Sequence, residues 1–172
     1  MPSPTWALAI AFWLHMLATV VWIGGIVTLG IIFLPSAYRI LKSKEYAALL
    51  GEVQKRLDPI SWFSLIVLVG TGMFQMSANP HYGGFLAINN NWTTVMLLKH
   101  LVFLVMTIIS IYITWMLLPK MSRAALRRAH ETNSRTESSS EDTPEKQLLI
   151  LQRLNLVLGV LVLGLTAVAR AI

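Results

Sequence analysis

The sequence predicts an all-α integral membrane protein, a four-helix bundle of up-down topology, and three observations carry that prediction. Of its 172 residues, 55% are hydrophobic and only 13% are charged, where a soluble domain carries about 25% charged residues. The apolar residues gather into long blocks near the ~20 residues a bilayer requires. Lys and Arg concentrate in two of the connections between those blocks, as cytoplasmic loops do.

Taken in order, the first span runs from Thr5 to Leu34 and is expected to stop at Pro35. The Met1–Trp6 segment has no positive charge and the apolar run behind it is too long for a cleavable signal, so it reads as a retained helix. Tyr46, Leu49, Leu50, Val53 and Leu57 then recur at helical spacing among charges, which predicts a short amphipathic helix on the cytoplasmic surface. The second span covers Ile60–Ser77, with Asp58-Pro59 as its cap and first-turn proline. Trp92–Leu118 is the third, closed by Pro119. Thr132–Pro144, rich in Ser, Thr, Asp and Glu, is expected to be a disordered loop, and the fourth span runs from Leu148 to Ala171. The whole chain, 1–172, reads as one membrane domain.

Orientation follows from the cations. The first connection holds Arg39, Lys42, Lys44, Lys55 and Arg56, and the third holds Lys120, Arg123, Arg127, Arg128 and Arg135. Ala78–Asn91 holds neither Lys nor Arg. The expectation is a multi-pass protein of the inner (plasma) membrane with both termini on the periplasmic or extracellular side. Trp6 and Trp92 then fall in the outer aromatic belt, Trp62 and Trp115 in the inner one.

Several chemistries are excluded. There is no cysteine, so thiolate metal sites, disulfides and thiol catalysis are absent. The net charge of +6 is accounted for by the loops and does not point to nucleic acid. No phosphate loop, hydrolase triad or carboxylate pair is present, and the acidic residues all fall in or beside the cytoplasmic loops. On that reading a carboxylate relay through the membrane has no members.

Two histidines stand out because ionisable side chains inside a span are costly and mark functional sites. His15 lies ~15 Å down the first span and His100 ~12 Å down the third, both from the outer end. First and third helices are diagonal in an up-down bundle, so the two imidazoles are placed to share a metal or the two faces of a haem. Met96 lies one turn from His100 with Lys99 beside it, and Met73 and Met76 close the second span on the same outer side. Imidazole with thioether suits copper, the thioether favouring Cu(I), whereas haem iron accepts His. Plain packing accounts for a methionine, and snorkelling for Lys99, as readily as ligation does. His81, in the outer loop, and His130, in the cytoplasmic extension, read as solvent-facing.

The run His15-Met-Leu-Ala-Thr-Val-Val-Trp22-Ile-Gly24-Gly25 resembles the first helix of CopD-type copper resistance membrane proteins. Trp62-Phe-Ser-Leu with Gly70-Thr-Gly72, Leu97-Leu98-Lys99 and Arg153-Leu-Asn155-Leu-Val-Leu-Gly159 look similar to later parts of that family. The resemblance implies a polytopic inner-membrane protein that handles copper arriving from the periplasmic side. It also implies a partner for a complete pathway, either a periplasmic copper-binding protein or a homo-oligomer. HemJ-type protoporphyrinogen oxidases share the His15–Trp22–Gly24 pattern and a Lys at the position of Lys99, and are thought to use haem. The stretch Ser36-Ala-Tyr38-Arg39 departs from theirs. Three readings result: copper binding or transport through His15, His100, Met73, Met76 and Met96; a b-type haem protein with His15 and His100 as axial ligands and Lys99 beside a carboxylate; and a structural subunit of a membrane complex without a ligand.

Overall fold

A computed structural model describes residues 4–41, 43–84, 88, 90–121, 123 and 144–172. Those residues are helical apart from short turns, with four helices long and apolar enough to cross a membrane: Thr5–Ile40, Ala48–Ser77, Asn91–Met121 and Lys146–Ala171. In chain order the elements are α1 (Thr5–Val27), a π-helical stretch Thr28–Phe33, α2 (Leu34–Ile40), α3 (Ser43–Ser77), α4 (Asn91–Tyr112), a second π stretch Ile113–Leu117, and α5 (Pro144–Ala171). Lys42, Arg127, Arg128, His130 and Arg135, with most of the Thr132–Pro144 loop, lie outside the described residues.

The prolines do not end the spans. Pro35 lies in the first turn of α2, directly continuous with the helix before it. Pro59 is internal to α3, which runs unbroken over 35 residues. The third span passes Pro119 and reaches Met121. A proline removes one amide and clashes with the carbonyl four residues back, but hydrocarbon offers no water to a broken helix, so local widening is preferred to a break. Each π stretch ends two residues before a proline, Phe33 before Pro35 and Leu117 before Pro119. Opening the turn there lets the carbonyl opposite the ring move aside.

The segment expected to lie apart as a surface helix is the first third of α3. Tyr46 and Leu50 are both buried, packed with Leu34, Ala37, Leu117 and Leu148. Their apolar stripe therefore docks on the bundle itself. Asp58 is likewise not a cap but an interior helical residue. The true cap is at α4, where Asn90 Oδ1 accepts from the Thr93 amide at 2.8 Å and Thr93 Oγ1 accepts from the Asn90 amide at 3.2 Å. This capping box fixes the start of the third span.

α1 packs chiefly on α3, and α4 chiefly on α5. Both pairs are antiparallel: Gln75 reaches Ala11 while Thr71 reaches His15, and Ser110 meets Asn155 while Met106 lies against Gly159. The core forms three tiers. Met76, Trp92 and Ala169 pack at the end nearest the 78–90 loop. Ala18, Trp22, Ile26, Leu65, Leu68 and Met106 fill the middle, and the Leu34–Leu117–Leu148 cluster closes the proline end. Large exposed side chains such as Trp13, Val20, Phe63 and Ile108 cover the outside, as lipid contact requires.

Gly30, inside the first π stretch, is the tightest crossing. A Cβ there would stand 2.9 Å from the Gln152 Cγ, whose side chain is buried. Gly30→Ala should therefore lower the thermal midpoint in detergent, at a cost of about 1–3 kcal/mol from overpacking. Gly164→Ala, with nothing within 4 Å of its Cβ, should leave the midpoint unchanged or raise it.

Candidate metal centre

His15 projects from α1 against the last turns of α3. Its Nδ1 is 2.9 Å from Thr71 Oγ1. The Thr71 hydroxyl has one hydrogen, and that hydrogen goes to the Val67 carbonyl at 2.5 Å, which can only accept. Thr71 must therefore accept from His15, so Nδ1 carries the proton and Nε2 keeps a lone pair. The imidazole fits there because residue 72 is glycine: a Cβ at Gly72 would come within 3.3 Å of His15 Cε1. One turn further along, Gln75 Nε2 donates to the Ala11 carbonyl at 3.0 Å and fixes the two helices in register.

His100 is held from within its own helix. Its Nδ1 lies 2.6 Å from the Met96 carbonyl, one turn back in α4, and because a carbonyl accepts only, Nδ1–H donates. In both imidazoles Nδ1 is thus committed to the chain, the kind of contact that orients a histidine ligand.

The two helices meet across the core at Trp22 and Phe103, whose ring centroids are 5.4 Å apart. From that contact His15 lies ~10 Å toward the 78–90 loop on the same face as Trp22. His100 lies ~4.5 Å in the same direction on the face of Phe103. Lys99, His100 and Arg170 are all close enough to His15 to act on it electrostatically. Arg170 also stacks over Phe12, its guanidinium carbon 4.8 Å from the ring centroid. Met76 is buried and packs with Trp92, Ala169 and the partly buried Met96. Met73 is 51% exposed. His81 is exposed in the loop, its ring centroid 6.4 Å from that of Trp92.

Among the described residues no group of three His, Cys, Asp or Glu converges to hold a metal. The donors in this half of the bundle are the two imidazoles and, in the adjoining cluster, the thioethers of Met76 and Met96. That set is soft and low in coordination number, and the chemistry it fits is Cu(I). Sequence reasoning missed Thr71, although the Gly70-Thr-Gly72 triplet held its signal: two small residues flanking a hydroxyl make room for a partner from another helix. It also missed Arg170, and it placed Asp58 outside the membrane interior.

Thr71→Val keeps the shape but removes the hydroxyl acceptor, leaving the Leu68 carbonyl as the partner of His15 on α3. The expected cost is about 1–3 kcal/mol in thermal stability. Thr71→Ser should restore it. In ¹⁵N spectra of the histidine ring, the valine variant should lose the single-tautomer pattern of His15.

A family model described as copper resistance protein D matches residues 51–169, from Gly51 in α3 to Ala169 in α5. That stretch contains Thr71, Met76, Met96, Lys99 and His100, while His15 precedes it. No curated protein and no solved structure matches the chain. The match covers more than half of the sequence and all but the first of its four membrane-spanning helices, and on that ground this chain belongs to the CopD family of copper resistance membrane proteins.

Proposed function

We propose that the protein binds Cu(I) in the half of the bundle nearest the 78–90 loop, as a step in moving copper across the membrane. The observation that carries this reading is the anchoring of two imidazoles in one half of the bundle: His15 Nδ1 is held by Thr71 and His100 Nδ1 by the Met96 carbonyl, the kind of contact that orients histidine ligands. Met76 and Met96 supply thioethers in the adjoining tier. Met73 contributes at most from the rim, given its exposure. Lys99 and Arg170 set a positive local field, which opposes a dication about twice as strongly as a monocation and so adds to the thioether preference for Cu(I).

The positive-inside distribution puts the 78–90 loop and this site on the outer side of an inner membrane. Copper would then enter from outside, from a copper-binding partner protein, and a second copy of the chain would complete the pathway if a single bundle cannot. The family match speaks for copper and offers nothing for the haem alternative.

Purified protein under reducing conditions should hold Cu(I) against a chromophoric chelator. His15→Ala and His100→Ala should each weaken binding more than Thr71→Val, for which loss of the orienting partner predicts about a tenfold effect. Reduced-minus-oxidised absorption on the same sample checks the competing reading. Sharp haem bands lost in the histidine variants would overturn the copper assignment, and protein that is folded but free of both copper and haem would leave only a structural role.

A further inference from the structure

The proline end of the bundle encloses a second polar feature, distinct from the histidine tier. A partly open cavity of about 110 Å³ lies among α1, α3, α4 and α5, with room for several waters. Its polar wall is formed by Gln54 and Asp58 of α3, Ser110 and Thr114 of the third span, and Gln152 and Asn155 of α5. Both π stretches border it, through Leu29 and through Ile113 and Thr114. At its outer limit it is closed by Trp22, packed on Phe103. Along α3 the cavity's carboxylate lies thirteen residues from Thr71, or ~20 Å.

Acceptors outnumber donors in this cavity. Asp58 takes hydrogen bonds from Gln54 Nε2 and from the Thr114 hydroxyl, which leaves further carboxylate lone pairs. Asn155 is 1% exposed. Its Nδ2 donates to Ser110 Oγ at 3.0 Å, while its Oδ1 is buried with no hydrogen-bond partner among the described residues. Native interiors seldom leave such an oxygen unanswered, and one that is left points to a missing water or ion.

The charge count narrows the occupant. Asp58 is the one charged side chain on the cavity wall. The charged groups on neighbouring turns, Arg39, Glu45, Glu52, Lys55, Arg56, Lys120, Lys146 and Arg153, are all exposed. The ion pair among the described residues joins Arg56 to Glu52, not to Asp58. Asp58 is partly buried, and an ionised carboxylate held partly out of water is costly until one positive charge balances it. Oxygen-only donors are hard and do not suit Cu(I). A single carboxylate also falls short of the several charged oxygens a bound dication collects.

We propose that this chamber is a hydrated site for one monovalent positive charge at Asp58, either an alkali cation beside the carboxylate or a proton bound to it. The site stands apart from copper binding in both location and ligand chemistry.

Thermal unfolding of the full-length protein in detergent tests this, in Li⁺, Na⁺, K⁺ or choline chloride at constant ionic strength, beside infrared spectra in the carboxylic C=O region. If an alkali cation occupies the site, one of the three should raise the midpoint saturably by about 5 °C over choline. If a proton occupies it, the midpoints in all four salts should agree and a protonated-carboxyl band should be present at neutral pH. Asp58→Asn should remove whichever response is seen, and Asn155→Leu should weaken it. Equal midpoints with no protonated-carboxyl band in the unaltered protein would overturn the proposal, whether or not the variants fold.

Discussion

Hydrocarbon supplies no hydrogen bonds, so every polar group inside this bundle has to be answered by the chain itself. The answer used repeatedly is a hydroxyl that donates to the carbonyl one turn back and accepts from a neighbouring helix. Thr71 does this between Val67 and His15. Ser110 does the same between Met106 and Asn155. In both cases a group that would be costly alone becomes a fixed interhelical link, and its orientation is decided by the direction in which the hydroxyl hydrogen must point. The tautomer of His15, and with it the direction of its lone pair, follows from one threonine.

The same constraint explains where the sequence could be read and where it could not. The spans were legible because apolar length is set by the bilayer, and span existence does not depend on packing detail. Their ends were not. By the rules of water-soluble chains Pro35 and Pro119 are helix stops and Pro59 a helix start, yet all three lie within helical segments here. In lipid an interrupted helix exposes carbonyls with no water to take them, so widening the turn is less costly than stopping. Of the expected stripe, Tyr46 and Leu50 share one buried face while Leu49 lies exposed. What no pattern could reveal is its target, because an apolar face suits a membrane surface and a neighbouring helix equally well.

For the candidate centre, sequence located His15 and His100 by the rarity of imidazoles in spans, and depth counting put them toward one end. Their partners were hidden for a physical reason. Thr71 meets His15 only after α1 and α3 pack, and the Met96 carbonyl that holds His100 is a backbone atom common to every residue type. Methionines were the least legible: Met73 and Met76 are three residues apart, yet one is 51% exposed and the other is buried. Helical phase separates such neighbours by only about 60°. Which of them faces inward is set by how the helix is rotated against its neighbours.

Two chemically opposite environments therefore share one bundle. Toward the 78–90 loop lie nitrogen and sulfur donors with the cations Lys99 and Arg170 close by. Toward the proline end lie oxygen donors around one carboxylate, in a cavity bordered by both widened turns. Trp22 stands at the boundary, its indole packed on Phe103 and buried on the line from His15 to the cavity. A soft cation held by the imidazoles gains little from the oxygen wall, and a hard cation balanced by Asp58 gains little from the thioethers. Separation of this kind keeps two positive charges from competing for one site, and the ~20 Å between them along α3 weakens their mutual repulsion.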